Sequence, residues 1–222
     1  MIEIKSKEKF ININNINTII IDVSLNNSRF NPKFPWGDIP IPYSYGYYGI
    51  SLFGIWEGLK VFEKNDIDVS FFEKTNIHNL PRTELEYGKF KGFRRGMTGQ
   101  IIFSEDEARE RIYIPTYRWI LEHKVCQQIN YLRFLTRNKE IILLDENEHY
   151  NIKDTTKPLS TAFLLKSYLE GIYPYEDVVK INIRHHYYCG RKFYSWTSYE
   201  KIFKEIPPKD CEISQLEIDF DY

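Results

Sequence analysis

Ser51-Leu52-Phe53-Gly54-Ile55-Trp56-Glu57-Gly58-Leu59-Lys60-Val61-Phe62-Glu63 sets Leu52, Ile55, Trp56, Leu59 and Phe62 on one face at helical spacing. The spacing predicts a helix over 51–63 with Ile55, Leu59 and Phe62 buried. Ser51, Gly54 and Gly58 make a stripe of small residues on a second side. Glycine inside a helix costs roughly 1 kcal/mol relative to alanine, so another element is expected to approach closely there. The third side carries Phe53, Glu57 and Lys60. Glu57 lies one turn after Phe53 and projects from nearly the same face.

Upstream, Thr18 to Leu25 is a β-branched apolar run and predicts a strand. The stretch from Asn31 to Gly49 holds Pro32, Pro35, Pro40 and Pro42, which fix φ and remove donors, so a stiff extended loop is expected. Its aromatic residues, Trp36 among them, either cover the core or wall a pocket. Downstream, Ser104 and Glu107 form a capping box and Glu107 pairs with Arg111 at i,i+4. Pro115 should break or restart this helix, with a long helix following to about Leu135. Glu140 to Asp145 reads as a buried strand. A helix should open near Thr156-Lys157-Pro158 and close at Gly171. The last fifty or so residues predict a strand at 178–184, an aromatic and basic segment at 184–196 and a short helix near 198–203. The expectation is one α+β domain over 1–222, mainly helical with short strands, with 172–222 as a possible small appendage.

Composition narrows the class. The chain has 222 residues, 42% hydrophobic and 16% aromatic, which favours a packed globule over disorder. Its formal net charge of -1 gives no general attraction to nucleic acid, so tight binding of unmodified duplex DNA is not expected. The N-terminal segment lacks the apolar core of a signal peptide, and no run approaches the ~20 apolar residues of a membrane span. Three widely spaced cysteines, Cys126, Cys189 and Cys211, read as reduced thiols, and the location as cytoplasmic.

No motif names a reaction by itself. His185, His186 and Cys189 crowd one segment but lack the partner pair of a structural zinc site, so no metal and no cofactor are expected. The glycines around Arg94 and Arg95 match neither a P-loop nor a dinucleotide fingerprint, although Arg95 remains a candidate phosphate contact. The 184–196 segment interleaves aromatic and basic residues in the manner of a single-stranded nucleic-acid site, with a hairpin burying its rings as the plainer reading.

Gly46-Tyr47-Tyr48-Gly49-Ile50-Ser51 followed by Leu52 to Lys60 resembles the start of the NADAR-type N-glycosidase family, with Gly46, Ser51, Trp56, Gly58 and Lys60 on the family's motif positions. Phe30-Asn31, the proline loop and Asp154 resemble further elements of that family. The motif's Glu is Phe53 here, its His is Gly54 and its Gln is Glu57. The same helix also resembles an uncharacterised bacterial family reading Ser-x-Glu-Gly-Ile-Trp-x-Gly-Leu-Lys. The resemblance implies a NADAR-like fold and hydrolysis of a ribosyl or ADP-ribosyl N-glycosidic bond. It implies Glu57, Lys60 and Asp154 as catalytic groups, with Asn31, Trp36, Gly46, Ser51 and Arg95 on the substrate, a small nucleotide-like compound. A non-catalytic binding protein for a nucleotide-like ligand is the alternative, favoured by Phe53. A nucleic-acid-associated role for the 184–196 segment is a third.

Overall fold

The strand Glu140–Asp145 is buried along almost its whole length, and the fold is assembled around it. The computed structural model describes residues 1–10, 17–76 and 81–174, and the backbone of two strands at 186–189 and 192–195. In chain order the strands are β1 (Ile2–Ser6), β2 (Thr18–Asp22), β3 (Ile39–Pro40), β4 (Tyr48–Gly49), β5 (Lys60–Phe62), β6 (Phe90–Arg94), β7 (Ile102–Phe103), β8 (Glu140–Asp145), β9 (His186–Cys189) and β10 (Lys192–Ser195). The α-helices are α1 (Leu52–Gly58), α2 (Ser70–Glu73), α3 (Glu84–Tyr87), α4 (Glu105–Ala108), α5 (Ile114–His123), α6 (Cys126–Leu135) and α7 (Thr161–Glu170). The architecture is mixed helix and strand.

β8 lies between β1 and β2 and pairs in parallel with both. A strand flanked in parallel on both sides reads as a continuous apolar run, which Ile141, Ile142, Leu143 and Leu144 supply. Because all three strands run the same way, β2 and β8 deliver Val23, Ser24, Asp145 and Glu146 to one edge. A second, antiparallel sheet orders β5-β6-β7. One hydrophobic core joins the two, running from Ile21 and Ile141 through Ile55 and Leu59 to Ile112, Leu121 and Leu165.

The helix expected over 51–63 is shorter. Ser51 caps α1 by accepting from the Gly54 N–H at 3.0 Å, and the helix ends at Gly58. The chain then enters β5, where Lys60 and Val61 pair with Phe93 and Gly92. Ile55, Leu59 and Phe62 are buried as expected, Phe62 from a strand. The small-residue stripe has its reason at Gly58, where a Cβ would fall 2.3 Å from the Phe72 ring.

Pro115 lies in the first turn of α5, so the helix restarts there as expected, and the chain between α4 and α5 stays helical. Arg109–Tyr113 widens into a π-turn, with the Ile114 N–H donating to the Arg109 carbonyl. Proline lacks an N–H and crowds the carbonyl four residues back, and the wide turn accommodates it. The expected long helix is two helices, separated at Lys124 and Val125. The Ser104–Glu107 capping box is present. α7 starts at Thr161 behind its cap Ser160, later than Thr156-Lys157-Pro158 suggested, and Gly171 closes it at φ +86°. Cys126 is disulfide-bonded, contrary to the reading of reduced thiols. Of the C-terminal expectations, β9 and β10 pair as an antiparallel hairpin. The side chains of 184–196, the strand at 178–184 and the helix near 198–203 lie outside the described residues. Among the described residues no helix is long and apolar enough to cross a membrane.

Candidate functional site

A cleft of about 450 Å³ opens at the carboxyl ends of β2 and β8. Open parallel sheets bind ligands at this edge because strand-end loops there face solvent on a rigid support. Asp145 and Glu146 form part of the floor. Asp145 is buried and fully engaged: Oδ1 accepts from the Glu146 N–H at 2.8 Å, and Oδ2 from the Ser160 hydroxyl at 2.8 Å and the Ala162 N–H at 3.0 Å. It thereby holds the first turn of α7 against the sheet edge, where a carboxylate complements the helix dipole. Glu146 is exposed and has no side-chain partner among the described residues.

The facing wall comes from α1 and the π-turn. Phe53, Trp56 and Tyr113 supply its rings, with Trp56 and Tyr113 edge to face at 5.3 Å. The Tyr113 hydroxyl bonds Thr161, and burial, reinforced by the Asp145 charge, pushes its phenol far above the ordinary value. Arg109 donates to the carbonyls of Asp154 at 2.7 Å and Lys157 at 2.8 Å, and to Glu105 at 3.1 Å. It ties the 154–158 loop to the cleft. Lys33 lies 5.2 Å over the Phe53 ring, a cation–π contact at the position where the motif's carboxylate was expected.

The residues singled out in the sequence separate. Glu57 lines the cleft but is 2% exposed, with Oε1 on Lys60 Nζ at 2.6 Å and Oε2 accepting from the Arg82 N–H at 2.9 Å. Lys60 lines a smaller neighbouring chamber. Asp154 lines a third, shallow depression with His149 and Glu110, and its carboxylate caps Thr156. Those bonds to Thr156 hold its carboxyl below the usual value. Asn31 lines the cleft with its amide bonded to the Ser24 and Leu25 carbonyls and its oxygen to the Lys33 N–H, so it fixes the strand-to-loop turn. Trp36 donates to the Arg29 carbonyl and packs on Phe34, away from the cleft lining. Gly46 sits at φ +80° in an exposed turn, Ser51 is buried as a helix cap, and exposed Arg95 lies over the Tyr43 ring.

Arg109, Tyr113, Asp145 and Glu146 were missed. Asp145 carried a signal, an acid ending a wholly apolar strand. Arg109 and Tyr113 carried none, since a π-turn is invisible to a period of 3.6.

A family model described as a family of unknown function, DUF6939, matches residues 4–165. The chain belongs to this family. The DUF6939 match begins in β1 and ends in α7, so it encloses every residue lining the cleft, from Val23 to Thr161. Neither the curated proteins nor the solved structures contain a match to the chain.

Proposed function

We propose that the cleft binds a nucleotide-like ligand, a ribosyl or ADP-ribosyl compound, as the resemblance to NADAR-type N-glycosidases suggests. One observation carries the ligand class: a ring wall of Phe53, Trp56 and Tyr113 faces a polar floor of Asp145 and Glu146 across about 450 Å³. The rings suit a base, the Glu146 carboxylate suits sugar hydroxyls, and Lys33 and Lys157 at the rim suit a phosphate. Binding ranks before hydrolysis because Glu57, the carboxylate expected to act, has both oxygens occupied within the fold.

Hydrolysis is the second reading, and Glu146 is its reason, a cleft carboxylate without a side-chain partner among the described residues. In that reaction the C1–N bond breaks with its electron pair leaving on the base, and water oxygen bonds to C1. A carboxylate beside C1 stabilises the positive charge or takes the proton from water. Calorimetric titration with ADP-ribose and AMP tests binding, and chromatography of a ribosyl-base compound tests base release. Micromolar binding without release supports the first reading, and release abolished by Glu146→Gln supports the second. Absence of binding and of release would overturn both.

A further inference from the structure

The main cleft has a neighbour. A chamber of about 290 Å³ lies on the other side of Trp56, and Trp56 and Glu105 line both spaces. Trp56 packs against Phe93 of the side chamber at 3.9 Å and against Tyr113 of the main cleft at 5.3 Å. Two ion pairs flank it. Glu57 of the main cleft meets Lys60 of the side chamber at 2.6 Å, and Glu105, shared by both, meets Arg109 of the main cleft at 3.1 Å. Where the two spaces meet stands one indole ring beside two ion pairs.

The side chamber is itself built for a ring. Phe62, Phe90 and Phe93 contribute to its walls, with Phe90 only partly buried and so available to stack. The Phe90 ring packs on Phe62 at 5.6 Å and on Phe93 at 5.4 Å, both at steep angles, and stays partly exposed to the chamber.

We propose that the two spaces are two subsites of one binding site, and that the ligand carries two ring-bearing groups joined by a polar linker passing Trp56. This rests on the reading that the main cleft takes a nucleotide-like ligand, and it adds that a mononucleotide fills only half of the site. Stacking of one base on an aromatic side chain contributes about 1–3 kcal/mol, so the second ring should strengthen binding by about tenfold or more.

The test compares NAD⁺, a two-ring probe, with its halves AMP and nicotinamide mononucleotide by calorimetry on the full chain. NAD⁺ should bind at least about tenfold tighter than the tighter half, and Phe90→Ala should cut that ratio to about twofold or less. Phe90→Leu, which keeps apolar volume without a stacking face, should do the same with a native-like melting curve. Equal affinity for NAD⁺ and its tighter half, or a ratio untouched by both substitutions, would overturn the inference and leave the main-cleft reading standing. If none of the three probes binds, the main-cleft reading falls and the inference falls with it.

Discussion

The two walls of the cleft spend their polar groups differently. On the α1 side, Glu57, Lys60 and Arg82 are bound into the protein: Glu57 to Lys60 and the Arg82 N–H, and Arg82 to the carbonyls of Glu57, Lys60 and Asp66. On the strand-end side, Glu146 stands exposed with no side-chain partner among the described residues, and Lys157 is exposed at the rim. A buried ion pair of the first kind holds architecture, since removing one partner strands the other. Groups of the second kind are available to a ligand. The contrast teaches that a cleft carboxylate is judged by what already occupies its oxygens.

Glu57→Ala should break this contrast most severely. It strands Lys60 and the Arg82 N–H, and a loss of about 2–4 kcal/mol is expected in chemical denaturation, the lower end reflecting the partial exposure of Lys60. An unchanged midpoint would place Glu57 with the ligand-facing groups instead. Leu59→Ala, one residue past α1 and 0% exposed, should cost a comparable 2–5 kcal/mol, roughly, as a core truncation.

Acid probes the fold at a different point, the end of α5. Burial lowers the His123 pKa from 6.5 to about 4, and its ring stacks on Trp119 at 4.2 Å. The folded protein keeps this ring neutral while the unfolded chain takes up a proton. Stability should therefore fall as pH drops from about 6.5 towards 4, by about 2–3 kcal/mol, and level off below. His123→Gln should flatten the slope in that window. Melting curves from pH 7 to 4 on both proteins read this directly.

Glu146→Gln should sharpen the contrast from the other side, weakening ribosyl-compound binding or turnover with the melting temperature unchanged. A lowered melting temperature would mean that Glu146 serves the fold after all. Asp154→Asn should have the smallest effect, because asparagine can also accept from the Thr156 N–H and hydroxyl. Loss of ligand binding in that variant would restore Asp154 to the site.

Legibility followed the number of faces an element buries. β8 was readable to the residue because a doubly flanked parallel strand leaves a solid apolar run. α1 was overextended because Phe62 falls seven residues after Ile55 and keeps helical phase by coincidence, although the chain has already entered β5. β1 escaped because Ile2-Glu3-Ile4-Lys5-Ser6 alternates over too few residues to stand out, yet it pairs with β8 along its whole length. The resemblance around 46–60 pointed to a stretch that does border the cleft, through Phe53, Trp56 and Glu57. Its further match at Asp154 touched the 154–158 loop, but it did not point to Glu146 or to Lys157, which come to the cleft only through the parallel sheet and the grip of Arg109.

The π-turn makes the chain length here matter as much as the side chains. A π-turn takes up one residue more than an α-turn and leaves the helices on either side in register, so deleting one residue from Arg109–Tyr113 would join α4 to α5 as ordinary helix without turning either. The change would fall on the turn itself, whose side chains include Arg109 and Tyr113. Removing Arg109 would free the carbonyls of Asp154 and Lys157, and the loop it secures would lose its mooring. A gap at this position in a relative would therefore announce a differently built cleft wall, even with both helices retained.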